Sequence, residues 1–362
     1  SALTITVVFS AYSLTLLLAL LTTGALSDHL GRRPVLVGAL LLQAASMVLL
    51  ASADGAGALI TARILQGAAT GAATSAAGAA LLDLQDPRRP GRSALANSIA
   101  PVAGMAAGVL AATLLVRFAP APTVTVYVLL AVLFAAQAIA VTFTAETARP
   151  HAGALRSLRP RLAVPPPARS ALLAVGTAIV AVWALGGFYS SLGPALVHLV
   201  APGAPQAAGG MVFFVLTAAA TLTVWTLRRT APYAAATGGS LAVIPAAALS
   251  LLGLHGAGLP AVYGGAALAG IAFGAVSQGA LRMTLASLDE QDRAATLAAY
   301  YVLSYLSMSL PAIAAGAATQ QHGLGTTAQA YALAAALLAV AALAALAVSR
   351  SRAAHRAHND LP

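Results

Sequence analysis

The stretch GALSDHLGRRPVLV, Gly24 to Val37, places Asp28, Arg32 and Arg33 within six positions between two long apolar runs. An acid four and five residues ahead of two cations can form ion pairs at helical spacing. Gly31 supplies the backbone freedom of a tight bend there. Asp28 can also meet the positive N-terminal end of a neighbouring helix. That chemistry fastens chain to chain and makes no bond to a substrate. A second candidate is ARILQGAATG, where Arg63 is followed by Gln66, Thr70 and Thr74 as a polar stripe and by Gly67 and Gly71 as a small-residue face. Arg63 falls inside an apolar run, so it must face protein or water and is suited to handling the charge of a substrate or a proton.

Other polar groups lie at mid-run positions. In WALGGFYSSLGPALVHL the Gly186-Gly187 pair and Pro194 predict an interrupted helix, which frees backbone polar groups inside an apolar run, with Tyr189 and Ser190 offering hydrogen bonds. Asn97, Gln278, Tyr301 and Tyr305 complete the candidate cavity set, the two tyrosines sharing one helical face suited to aromatic contact with an apolar or cationic ligand. His198 reads as an interfacial histidine at a helix end. There is no cysteine, no Cys/His cluster, no Walker loop, no nucleophile elbow and no paired catalytic carboxylates. Neither enzyme activity nor a metal or cofactor is expected.

The elements that must position these groups follow from composition. Only 8% of the 362 residues are charged while 60% are hydrophobic, against roughly a quarter charged in a soluble domain. Apolar runs near 3–26, 34–52, 58–84, 94–117, 123–144, 171–200, 209–227, 235–254, 260–286, 294–318 and 329–348 are each long enough to cross about 30 Å of hydrocarbon. The reading is an all-α membrane protein with eleven spans, because helices satisfy their own backbone and the alternating pattern of barrel strands is absent. All 19 cationic side chains are Arg, and the net charge is +10. They gather in alternate connectors without aromatic interleaving, a topological pattern and not a nucleic-acid platform. The positive-inside rule then makes HLGRRP, DPRRPGRS, the 146–170 connector, LRRTAPY, LDEQDRAA and the tail 350–362 cytoplasmic, and starts residue 1 outside.

An internal repeat organises the spans. Gly67, Gly71 and Asp86 align with Gly270, Gly274 and Asp289 at one constant offset, and Arg32-Arg33 echo Arg228-Arg229. The expected division is an N-terminal bundle at 1–145, a Pro- and Arg-rich linker at 146–170 that meets lipid headgroups, a C-terminal bundle at 171–349 and the tail. The repeat also predicts that the partner of the 171–200 helix lies upstream of residue 1, giving twelve spans in two pseudo-symmetric six-helix bundles.

With these residues in view, the chain resembles the major facilitator superfamily, drug and metabolite exporter branch. Gly24, Leu26, Ser27, Asp28, Gly31, Arg32, Arg33 and Leu36 match its signature between helices two and three, with His29 standing where Arg or Lys is usual. ARILQG resembles its fourth-helix Arg-x-x-Gln-Gly pattern. The resemblance implies that Gly24, Asp28, Gly31, Arg32 and Arg33 form a conformational latch that favours the outward-open state. It implies alternating access around a cavity between the halves, and export of a small amphipathic molecule against inward proton flow. The setting would be a bacterial inner membrane and the protein a monomer. In helix five Gly104 and Gly108 are kept, but Val109 occupies the place of the antiport signature's proline, so proton-coupled uptake of a sugar or organic acid is the alternative. A non-transporting sensor or binding subunit is the alternative from another class. The family's usual helix-one acid would lie upstream, leaving Asp83 as the proton site within this chain.

Overall fold

In a computed structural model, residues 2–86, 88, 91–158, 164, 166–286, 288 and 290–359 are described. Among them the chain is helical without strands. The helices are α1 (Ala2–Thr23), α2 (Leu26–Leu30), α3 (Arg32–Ala51), α4 (Ala56–Asp83), α5 (Gly91–Phe118), α6 (Pro122–Thr142), α7 (Ala154–Ser157), α8 (Pro166–Ser191), α9 (Gly193–Val200), α10 (Gln206–Thr226), α11 (Pro232–Leu252), α12 (Gly258–Leu285), α13 (Glu290–His322) and α14 (Leu324–Asn359). Eleven of these contain 20 residues or more. Among the described residues eight segments are long and apolar enough to cross a membrane, one of them, Pro232–Leu285, holding both α11 and α12.

The chain separates into two compact units, residues 1–100 with 111–163, and residues 101–110 with 164–362. In the first unit α1 lies close along α4. A Cβ on Gly67 would collide with the Tyr12 carbonyl oxygen, and one on Gly71 would lie 2.5 Å from Ala19 Cβ and 2.9 Å from Leu16 O. The small-residue face read from the sequence is the contact surface, since only hydrogen side chains let two backbones approach so closely. α3 packs on α4 and α6 around Met47, Leu50, Ala62 and Ala131.

The second unit repeats that logic. A Cβ on Gly270 would collide with the Leu216 carbonyl oxygen, and one on Gly274 would lie 2.6 Å from Ala220 O. So α12 meets α10 as α4 meets α1. α8 packs against α12, α13 and α14, and its buried Val175, Ile179, Val182, Leu185 and Phe188 belong to the core of this unit. Outward, Leu14, Leu18, Val132, Ile139, Leu222 and Leu337 are exposed on the helices, the arrangement expected where the solvent is hydrocarbon and apolar side chains need no cover.

One local expectation changes. α8 runs unbroken through Gly186-Gly187, and the break falls at Leu192, with Pro194 in the first turn of α9. A Cβ on Gly187 would lie 2.5 Å from the Met308 carbonyl oxygen, so Gly187 serves close packing of α8 on α13 and not interruption. Residues 350–359 of the tail continue α14, which runs to Asn359. Asp289, half of one repeat pair, lies outside the described residues, as do 159–163 and 165 of the connector.

Candidate functional site

The first site is built where α2 turns into α3. Gly31 adopts φ +100°, ψ 149°, a region open almost only to glycine. The turn lets α3 begin directly at Arg32, and Pro34 sits in its first turn, where a missing N–H costs nothing. Asp28, across that bend, pairs with Arg32 through Oδ1 and Nη1. The same guanidinium donates from Nε to Asp83 Oδ2 at 3.1 Å and from Nη1 to Ser27 Oγ at 2.7 Å. Its side chain is only 12% exposed, so these three oxygens replace most of its water. Of the two pairings open to Asp28, the structure takes Arg32. Arg33 instead donates to the carbonyls of Thr142 and Thr144 at 3.3 and 3.4 Å, closing the C-terminal end of α6. Gly24, at the junction of α1 and α2, has room only for its hydrogen, since a Cβ would lie 3.0 Å from Leu20 O.

The carboxylate that meets the N-terminus of α3 is Glu146, from the connector after α6. Its Oε1 and Oε2 accept the backbone N–H groups of Arg32 at 2.7 Å and Arg33 at 3.0 Å. Thr147 and Ala148 donate to Oε1 at 3.0 Å each. Partial burial pushes the Glu146 carboxyl up, but the N–H groups of Ala148, Arg32, Arg33 and Thr147 together outweigh it and hold it below its ordinary 4.5. Thr147 also donates from Oγ1 to Asp83 Oδ2 at 2.8 Å. Asp83 is therefore held at the end of α4 by Arg32 and Thr147. His29 donates from Nδ1 to Ala25 O at 3.0 Å, and its ring stands 4.2 Å from that of His151, whose backbone N–H donates to His29 O at 3.0 Å. Glu146, Thr147 and His151 did not emerge as site residues from the sequence. An acid flanked by threonine just past an apolar run was the only signal, and its partners lie more than 100 positions away.

The second copy of the Arg pair shares the place and not the chemistry. Arg228 lies over the Trp225 ring at 4.8 Å and donates to Trp225 O at 2.8 Å. Arg282 of α12 donates to Thr230 O at 2.8 Å. No acid pairs with this turn among the described residues.

Arg63 lies in the second turn of α4, on the face that carries Gly67 and Gly71 and meets α1. It is half-buried, and its Nη1 donates to Gln66 Oε1 at 2.8 Å. Tyr12 of α1 stands within electrostatic reach of it and against the Thr70 side chain. The only ion pairs among the described residues belong to Arg32, so Arg63 has no carboxylate partner there, and its Nε is buried with no acceptor. Asn97 of α5 lies against α4, 3.6 Å from where a Cβ on Gly78 would sit.

In the second unit Tyr301 and Tyr305 do share a face, with ring centroids 6.3 Å apart. Trp183 of α8 joins them, 5.3 Å from Tyr305 and 5.0 Å from Phe273 of α12. All four rings are half-buried. Trp183 and Phe273 were missed because an isolated aromatic in an apolar run carries no signal of direction. Gln278 is 8% exposed with Oε1 unpartnered among the described residues. Tyr189 is fully buried, and its hydroxyl is 2.6 Å from Ser250 Oγ of α11, so it joins two helices. Ser190 bonds its own helix, donating to Gly187 O at 3.0 Å.

These two sites belong to a recognisable family. The sequence model of the Major Facilitator Superfamily matches residues 1–254. Among solved structures the chain is similar to the human organic anion transporter MFSD10 (TETRAN), with a TM-score of 0.71 at 21% identity over 94% of this chain and 83% of that one. It is also similar to the nucleoside transporter NupG, with a TM-score of 0.66 at 14% identity over 95% and 90%. At these identities the likeness is one of fold. No curated protein matches the chain in sequence. A family match over more than half the chain, carried by an all-helical fold whose long helices present apolar faces outward, makes the conclusion direct: the chain belongs to the major facilitator superfamily and is a multi-pass membrane transporter of small molecules, not an enzyme.

Proposed function

We propose that the protein is a secondary active transporter that works by alternating access and exports a small amphipathic molecule, driven by inward proton flow. It would act as a monomer in a bacterial inner membrane with its C-terminus in the cytoplasm. The observation that supports this is the Arg32 network. Ser27 and Asp28 of α2, Asp83 at the end of α4 and the Glu146 cap tie three chain segments to the start of α3 through charge-assisted bonds. None of these groups is left over to attack or protonate a substrate. Such bonds are strong while water is excluded and fall away when it enters, which suits an element that must close and release in a transport cycle. Asp83 is the proton site of this reading, exchanging Arg32 for a proton when the network opens.

Counterflow tests the direction. Proton-driven accumulation in inverted vesicles is the expected result. Its absence, together with uptake into right-side-out cells, would reverse the direction and leave proton-coupled import of a sugar or organic acid, which Val109 in place of the antiport proline permits. Asp83→Asn should abolish the pH dependence of transport while counterflow exchange continues.

A further inference from the structure

We infer that the transported molecule is an organic anion and that Arg63, with Gln66, Thr70 and Tyr12 around it, is the element that binds its negative group. The inference rests on the reading of the protein as a transporter and adds the class of substrate.

A guanidinium has five N–H donors in a planar fork. Among the described residues one hydrogen bond engages that of Arg63, from Nη1 to Gln66 Oε1. Nε is shut off from solvent with no acceptor, and no carboxylate stands within ion-pair distance, among the described residues. The helix itself gives no compensation. Arg63 is seven positions into α4 from Ala56, about 10 Å along the axis, nearer the positive end of the helix dipole than the negative one. Elsewhere in this unit the chain pairs a guanidinium thoroughly: Arg32 has two carboxylates and a hydroxyl. Arg63 is held by Gln66 and bordered by the Tyr12 and Thr70 hydroxyls, groups that can orient an incoming anion without neutralising the cation beforehand. A carboxylate, sulfonate or phosphate monoester approaching the fork supplies the missing acceptors and the missing charge together. A cationic ligand would add like charge to a site that already lacks a counter-ion.

The test uses the purified chain in lipid nanodiscs and three probes with one apolar body: 4-phenylbutyrate, 4-phenylbutyramide and 4-phenylbutylamine. Thermal stabilisation reads binding, and counterflow in proteoliposomes reads exchange. The carboxylate should bind about 10- to 100-fold more tightly than the amide, the span of one charged hydrogen-bonded contact, and the amine should bind weakest. Arg63→Gln should bring carboxylate and amide to the same affinity. Arg63→Lys, which keeps the charge and loses the fork, should retain part of the preference and shows that the site tolerates substitution. An amide or amine that binds as well as the carboxylate, no carboxylate binding up to its solubility, or a carboxylate preference undiminished in Arg63→Gln overturns the inference. Carboxylate binding abolished by Arg63→Gln with no exchange in counterflow would instead refute transport and leave the anion site standing.

Discussion

Replacing Gly31 by alanine tests the turn on which the rim network depends. At φ +100°, ψ 149° a residue with a Cβ pays about 1–3 kcal/mol in backbone strain. The new methyl would also lie 2.6 Å from Glu146 Oε2, 3.0 Å from Glu146 Cδ and 3.2 Å from Pro34 Cδ. The proline ring is fixed, whereas the exposed carboxylate is the flexible end of its chain, so Glu146 swings away. It then gives up the Arg32 and Arg33 N–H groups at 2.7 and 3.0 Å, a contact at an exposed helix N-terminus worth about 0.3–1 kcal/mol. The expected loss is about 1–4 kcal/mol, read as a lowered unfolding midpoint in detergent or lipid together with reduced transport. Because part of that loss is the Glu146 cap, Gly31→Ala combined with Glu146→Ala should cost less than the sum of the two single changes. A Gly31→Ala protein as stable as the wild type, or a cost unaltered by removing the carboxylate, would refute the assignment of strain and contact to this turn.

Asp28→Asn removes the charge paired with Arg32 and should cut transport at least several-fold while membrane insertion, followed by expression and protease accessibility, stays normal; unchanged transport would remove the latch. Glu146 is held below its ordinary 4.5 in the folded chain, so its contribution is present above that pH and is lost as pH falls through the lower folded value. Stability should thus show no Glu146-dependent change between pH 7 and 5 and a decline in acid that Glu146→Gln weakens, measured by unfolding midpoints across pH. In α11, Gly239 has no room, since a Cβ would lie 2.8 Å from Val276 Cγ2 and 2.9 Å from Val276 N, while its neighbour Gly238 has nothing within 4 Å. Gly239→Ala should therefore destabilise by about 1–3 kcal/mol, and Gly238→Ala should be neutral or stabilising by up to about 1 kcal/mol, a contrast that thermal unfolding of the two variants reads directly.

The sequence by itself determined the solvent and the class of element. Apolar runs interrupted by Arg-bearing connectors leave helices in lipid as the only way to satisfy the backbone, and the offset between Gly67-Gly71 and Gly270-Gly274 already marked the two equivalent helix contacts. The GALSDHLGRRP spacing likewise limited the partners of Asp28 to the two arginines four and five positions on, because a short stretch of chain keeps such groups within reach of one another. Only the tertiary structure decided which partner each group takes. Asp28 could reach two arginines on sequence alone, and the turn at Gly31 sends Arg32 to Asp28 and Asp83 but Arg33 to the end of α6. Glu146 became the cap of α3 across more than 100 positions, and Tyr189 became a buried strut to Ser250 while Trp183 and Phe273 joined the tyrosines. Periodicity states which residues share a face of one helix, but which helix that face meets, and at what rotation, is set by packing between segments far apart in the chain.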